Sequence, residues 1–169
     1  MNKLQLIIGP NEILTQKTEP VTFFNKNLKE EIDEMLRIMK KEKGVGLAAN
    51  QIGLSKSMFV IDVPYSGIKD GKFNKGYMRR TFINPSIKLS GEDISISEGC
   101  LSFPGKLIRA PRKRICNVTY QGTYGNVIEE VFSGIIAIVI QHEYDHLIGK
   151  TMLDYDPKSM IDLVNEIQK

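Results

Sequence analysis

The chain has 169 residues, of which 41% are hydrophobic and 25% charged. That mixture suits one globular domain over residues 1–169 and excludes disordered, collagen-like and fibrous chains. Its formal net charge of +3 is too small to set up a field for DNA or an anionic membrane, and its two cysteines cannot staple a small secreted fold.

The start, Met1 to Pro10, holds only a short apolar run before Gly9-Pro10, and the longest apolar run in the chain, Ile135 to Ile140, is far below the ~20 residues of a membrane span. The expectation is a cytoplasmic protein with reduced thiols, no membrane and no DNA partner. From Asn27 to Lys43 the apolar residues Leu28, Ile32, Met35, Leu36 and Met39 recur at spacings of three and four, which predicts an amphipathic helix. Asn27 with Glu30 gives it a capping-box-like start and Gly44 a stop. The segment Gly44-Val45-Gly46-Leu47-Ala48-Ala49-Asn50-Gln51-Ile52-Gly53 is rich in glycine and small residues, as expected where backbone must pass close to something.

Met58 to Val63 reads as a buried strand. Pro64 to Arg80 reads as a surface loop or hairpin excursion. Short strands are expected at Thr81–Asn84, Ser86–Leu89, Ile94–Ser97, Arg114–Gln121 and Val127–Phe132. Many short strands with few helices point to an α+β fold with mainly antiparallel sheet. Ser133 to Leu147 is ambiguous: its Ile and Val content favours a strand, while its length, the candidate cap Ser133 and the stop at Gly149 favour a helix. A last amphipathic helix is expected over Pro157–Lys169. The basic residues Arg109, Arg112, Lys113 and Arg114 read as a solvated strand edge.

Both histidines of the chain fall in His142-Glu143-Tyr144-Asp145-His146. On a helix, positions i and i+4 lie ~40° apart around the axis, so both imidazoles can reach one ion. Glu143 then sits beside the site as a general base, which is the pattern of a metal-activated hydrolase. A catalytic site of this kind needs a third protein ligand and an open position. Met152 occupies the place where one protease class carries a third histidine. Glu166, where another class carries a glutamate, lies in the terminal segment. Cys116 alternates with Val118 and Tyr120 and reads as a core thiol. Cys100, in Glu98-Gly99-Cys100-Leu101-Ser102, stands among small and polar residues and is the favoured third ligand.

The segments Gly44–Gly53, Glu98–Ser102 and Gln141-His142-Glu143-Tyr144-Asp145-His146-Leu147-Ile148-Gly149 resemble, in order and spacing, the three signature motifs of peptide deformylases. The resemblance spans about Gly9 to Tyr155. It implies an α+β fold whose mainly antiparallel sheets pack around a buried central helix carrying the His-Glu-x-x-His motif. It also implies removal of the formyl group from formyl-methionyl nascent peptides. By the same resemblance Cys100, His142 and His146 are metal ligands, Glu143 is the acid/base, and Gln51 and the Leu101 N–H are oxyanion donors. Gly46 is implied to hold the peptide backbone, with Val45 and Ile138 near the methionine pocket. The implied metal is Fe2+, with Zn2+, Ni2+ or Co2+ able to substitute, and the implied partners are the nascent peptide and, transiently, the ribosome. Where many bacterial members carry an arginine beyond the cysteine motif, this chain has Leu107, with Arg109 two positions on.

Overall fold

The computed structural model describes residues 4–69, 72–155 and 160–162. Among these residues, two α-helices and eight strands carry the fold. In chain order they are α1 (Lys26–Lys41), β1 (Gly46–Ala48), β2 (Met58–Lys69), β3 (Lys72–Ile94), β4 (Ser97–Cys100), β5 (Phe103–Arg109), β6 (Arg112–Gln121), β7 (Val127–Ser133), α2 (Gly134–Leu147) and β8 (Met160–Asp162). The strands form one five-stranded sheet in the order β1-β2-β3-β6-β7 and one three-stranded sheet in the order β4-β5-β8. Every pairing within both sheets is antiparallel.

Helix α1 follows its expected pattern, with Leu28, Ile32, Met35 and Met39 buried and Leu36 packed beside them. Its start differs by two residues. The N-cap is Asn25, whose side chain accepts from the Leu28 N–H at 3.1 Å, because that oxygen satisfies an orphan donor of the first turn. At the other end the left-handed residue is Lys43 (φ 59°), and Gly44 donates to the Met39 carbonyl.

β2 explains why its sequence is a continuous apolar run. Met58 and Val60 belong to the core under α1, whereas Phe59, Ile61 and Val63 belong to the core under α2. Side chains alternate along a strand, so the two helices cover opposite faces of β2. Each of these buried side chains contributes roughly 1.5–3 kcal/mol by leaving water. Cys116, Val118 and Tyr120 line the α2 side, as the alternation in β6 requires.

Several expectations are corrected. Of the two alternatives for Pro64 to Arg80, the hairpin holds and the loop does not: β2 and β3 stay in register from Met58↔Ile83 out to Lys69↔Lys72, so the excursion is a long hairpin arm. The ring of Tyr65 covers the bare backbone of Gly76 opposite it. Thr81–Asn84 and Ser86–Leu89 are parts of one strand, β3, interrupted by a bulge at Asn84 (φ 48°). Asn84 closes the bulge by accepting from the Val21 N–H and donating to the Val21 carbonyl, each at 2.8 Å. Ile94–Ser97 is not a strand: β3 ends at Ile94 and β4 begins at Ser97. β5 was not expected at all. Met160–Asp162, within the segment expected as a terminal helix, is a strand paired with Lys106–Ile108, and the rest of Pro157–Lys169 lies outside the described residues.

Ser133 to Leu147 resolves as a helix, α2, with Ser133 at the N-cap position. Gly149 (φ 77°) stops it, and a Cβ there would strike the Thr15 backbone. Thr18 pins the same end by donating to the Leu147 carbonyl from both its N–H and its hydroxyl. No helix among the described residues is long and apolar enough to cross a membrane.

Candidate functional site

α2 carries His142 and His146 one turn apart on one face, with Glu143 next to His142 in the chain. β4 ends at Cys100, and its pairing with β5 slips between Gly99 and Cys100, a local irregularity that re-aims the cysteine. Cys100, His142 and His146 each offer one ligand atom, and the three atoms lie within 4.8 Å of one another. The Cys100 Sγ is 3.3 Å from His146 Nε2. His142 Nδ1 faces Glu98 Oε2 at 2.9 Å, which leaves its Nε2 for a ligand.

Gln51 follows β1 in a short 3-10 turn and is buried. Its Oε1 accepts from the Ala48 N–H at 2.9 Å. That bond orients the amide so that Nε2 faces the site, donating to Ser102 Oγ at 3.0 Å and lying 3.5 Å from Cys100 Sγ. Gly46 packs against Glu143 so closely that a Cβ would overlap the carboxylate. A cavity of about 330 Å³ opens over this cluster, lined in part by Val45, Gly46, Gln51, Cys100, Leu101 and Glu143. Next to it lies an apolar cavity of about 170 Å³ between Val45, Ile96, Ile135, Ile138 and Val139, reaching His142 and Glu143. All nine residues singled out in the sequence therefore surround one site, with His146 buried behind the others. Leu107 lines the larger cavity, and Arg109 turns instead to Ser97 Oγ at 3.4 Å. Glu166 lies outside the described residues.

The electrostatics call for a cation. Burial pushes the Glu143 carboxyl up to about 7, with Glu98 and Asp145 adding to the rise against His142 and Arg112. Burial also drives His146 well below the usual imidazole value, so it is neutral, the form that ligates metals. His142 is the opposite: burial pulls it down, but the hydrogen bonds to Cys100 and Glu98 and the charge of Glu143 outweigh that and raise it. His146 Nδ1 and Glu143 Oε2 are buried without a hydrogen-bond partner among the described residues. A thiolate with two imidazoles is a donor set that suits Zn2+, Fe2+, Co2+ and Ni2+, so the residues present fit a divalent metal.

Arg112 was the residue the sequence misassigned. It is buried (5% exposed) and not part of a solvated edge. It donates to both oxygens of Glu98, from Nε at 2.9 Å and from Nη2 at 2.8 Å, and to Asp145 Oδ2 from Nη1 at 2.6 Å. Alternation in β6 did not single it out: Arg112 lies at an even position like the buried Cys116, Val118 and Tyr120, but so does Arg114, which is exposed. A buried arginine needs a buried anion. Lys113 and Arg114 pair with Asp93 and Glu92 at the surface, as expected.

A family model for polypeptide deformylase matches residues 3–160. A peptide deformylase of Aquifex aeolicus (strain VF5) is 40% identical over 149 residues, which cover 88% of this chain and 85% of that protein. The crystal structure of the peptide deformylase from Ehrlichia chaffeensis matches with a TM-score of 0.82 at 32% identity, over 92% of this chain and 88% of that one. The Met-Ala-Ser-bound structure of a class I type b peptide deformylase from Acinetobacter baumannii matches with a TM-score of 0.80 at 28% identity, over 89% of this chain and 96% of that one. With sequence and fold similar over most of its length, the chain belongs to the peptide deformylase family.

Proposed function

We propose that this chain removes the N-terminal formyl group from formyl-methionyl nascent polypeptides, using a divalent metal held by Cys100, His142 and His146. The observation that carries this reading is the convergence of those three ligand atoms within 4.8 Å beside a buried glutamate. The working metal is ferrous iron, with zinc, nickel or cobalt as substitutes. When bound, such an ion supplies Lewis acidity that acidifies a water and polarises the formyl carbonyl.

Glu143 takes the proton of the attacking water and later delivers it to the departing amine. A carboxyl raised by burial to about 7 can do both near neutral pH. The tetrahedral oxyanion accepts hydrogen bonds from the Gln51 Nε2 and the Leu101 N–H; one such donor is worth about 3–4 kcal/mol in the transition state. The formamide C–N bond breaks, water supplies the oxygen, and the products are formate and a free amino terminus. The apolar cavity between Val45, Ile135 and Ile138 takes the methionine side chain, and the Gly46 backbone holds the peptide extended.

Residues 1–169 act as a single catalytic domain with α2 as its buried central helix, working in the cytoplasm where nascent peptides emerge and contacting the ribosome transiently. The test is formate release from a formyl-Met dipeptide by protein loaded with iron without oxygen. Turnover is expected. No release, with metal confirmed bound, would overturn the proposal.

A further inference from the structure

The polar network around His142 does not end at Glu98. Glu98 Oε2 receives both His142 Nδ1 at 2.9 Å and Arg112 Nη2 at 2.8 Å. Arg112 Nη1 reaches on to Asp145 Oδ2 at 2.6 Å and to the Tyr155 hydroxyl at 2.9 Å. That hydroxyl in turn donates to Asp145 Oδ2 at 2.5 Å, which closes a three-membered ring of Arg112, Asp145 and Tyr155. The Tyr155 ring also lies within reach of two cations, Arg112 at 5.3 Å and Lys150 at 4.0 Å from its centroid. Between this ring of groups and the two imidazoles is a cavity of only about 10 Å³, room for one water molecule at most.

We infer that Tyr155 is a positioning residue for the metal centre, acting through Arg112 and Glu98 on the His142 ring. The inference rests on the metal site proposed above. Arg112 has one guanidinium with which to satisfy two carboxylates, Glu98 and Asp145. The Tyr155 hydroxyl gives Asp145 a second donor and the Arg112 Nη1 a second acceptor. Both ends of the guanidinium are then fixed, and its fork stays flat against Glu98. With Glu98 held, its Oε2 keeps the His142 Nδ1–H in place and Nε2 aimed at the ion, and it raises the basicity of that ligand. Without the hydroxyl, Asp145 draws the guanidinium toward itself, and Glu98 loses the bidentate geometry that orients the imidazole. No part of this work is done by the aromatic ring, so Tyr155→Phe isolates it.

The experiment is Co2+ binding to the full-length chain by competition with a chromophoric chelator. The visible d–d and thiolate-to-cobalt bands are recorded alongside, with melting curves of the metal-free protein. For Tyr155→Phe the expected result is a roughly tenfold weaker Co2+ affinity and a shifted d–d spectrum, with the thiolate band retained. Lys150→Met, which removes a cation from the ring but leaves the hydroxyl, is expected to bind Co2+ like the unaltered chain. Affinity and spectrum unchanged in Tyr155→Phe would overturn the inference, even with a lower melting temperature, which is all that a merely structural role predicts. Equal weakening in both variants would overturn it too. Failure of the unaltered chain to bind one Co2+ through a thiolate would sink the metal-site proposal itself.

Discussion

Glu98 and His142 meet through a single oxygen: Glu98 Oε2 lies 2.9 Å from His142 Nδ1 while it also accepts from Arg112. The carboxyl stays ionised below its usual range. Burial alone would raise it, but the hydrogen bonds from Arg112 and His142 and the charge on both outweigh burial. β4 therefore supplies Cys100 and, two residues earlier, the carboxylate that meets the first histidine.

Arg112→Met is expected to destabilise the protein more than any surface substitution. Breaking a buried ion pair from one side typically costs about 3–5 kcal/mol, because Glu98 and Asp145 are left without their shared cation. Urea unfolding of the metal-free protein measures it. A loss under about 1 kcal/mol, the worth of an exposed pair, would show that the pair is hydrated in solution.

Gly46→Ala tests the contact between the glycine segment and Glu143, the general base proposed above. The added Cβ overlaps the Glu143 carboxylate, which is the movable end of a side chain, so the fold should survive while the base is displaced. The expected result is a fall in kcat of about 10²-fold or more, the usual worth of a placed acid/base group, with metal content unchanged. Activity near that of the unaltered chain would mean that Glu143 has room to step aside without cost.

Glu143→Gln keeps the shape of the side chain and removes its ability to take a proton. Turnover should vanish while metal analysis stays near one ion per chain. Loss of the ion would reassign Glu143 as a ligand.

Away from the site, Glu130 is held below the usual carboxylate range. Burial raises it, but the Tyr120 hydroxyl and Arg80 together lower it further. A depressed folded-state value stabilises the protein above the unfolded carboxyl's pKa of about 4.3, and that contribution disappears as pH falls through the folded value. Glu130→Gln should therefore lower the melting temperature at pH 7 and converge on the unaltered protein only once pH has fallen below the depressed folded-state value. A constant difference at all pH values would contradict this account of the Arg80–Glu130–Tyr120 cluster.

The convergence of Cys100, His142 and His146 was legible because it depends on local spacing and scarcity: two histidines four apart, and one cysteine outside an apolar alternation. α1 and the inward face of β6 were legible for the same reason, since both follow from periodicity. β5 was not. Phe103-Pro104-Gly105 reads as a turn, and the strand exists because β4 and β8 pair with it, a contact made across the chain. The hairpin arm was legible only as one of two alternatives, as glycine-rich polar strands acquire their register from each other. Arg112 shows a different limit. Alternation puts the exposed Arg114 at the same parity, so it did not mark Arg112 as inward, and the anions that Arg112 meets come from β4 and α2, which no spacing in the sequence joins.

The most direct measurement is a crystal structure of the metal-loaded protein, with anomalous scattering collected at the absorption edge of the ion. One peak is predicted, bonded to Cys100 Sγ at ~2.3 Å and to the Nε2 atoms of His142 and His146 at ~2.1 Å, with one position open toward Glu143. An ion bound elsewhere, or one with no sulfur in its shell, would contradict the account.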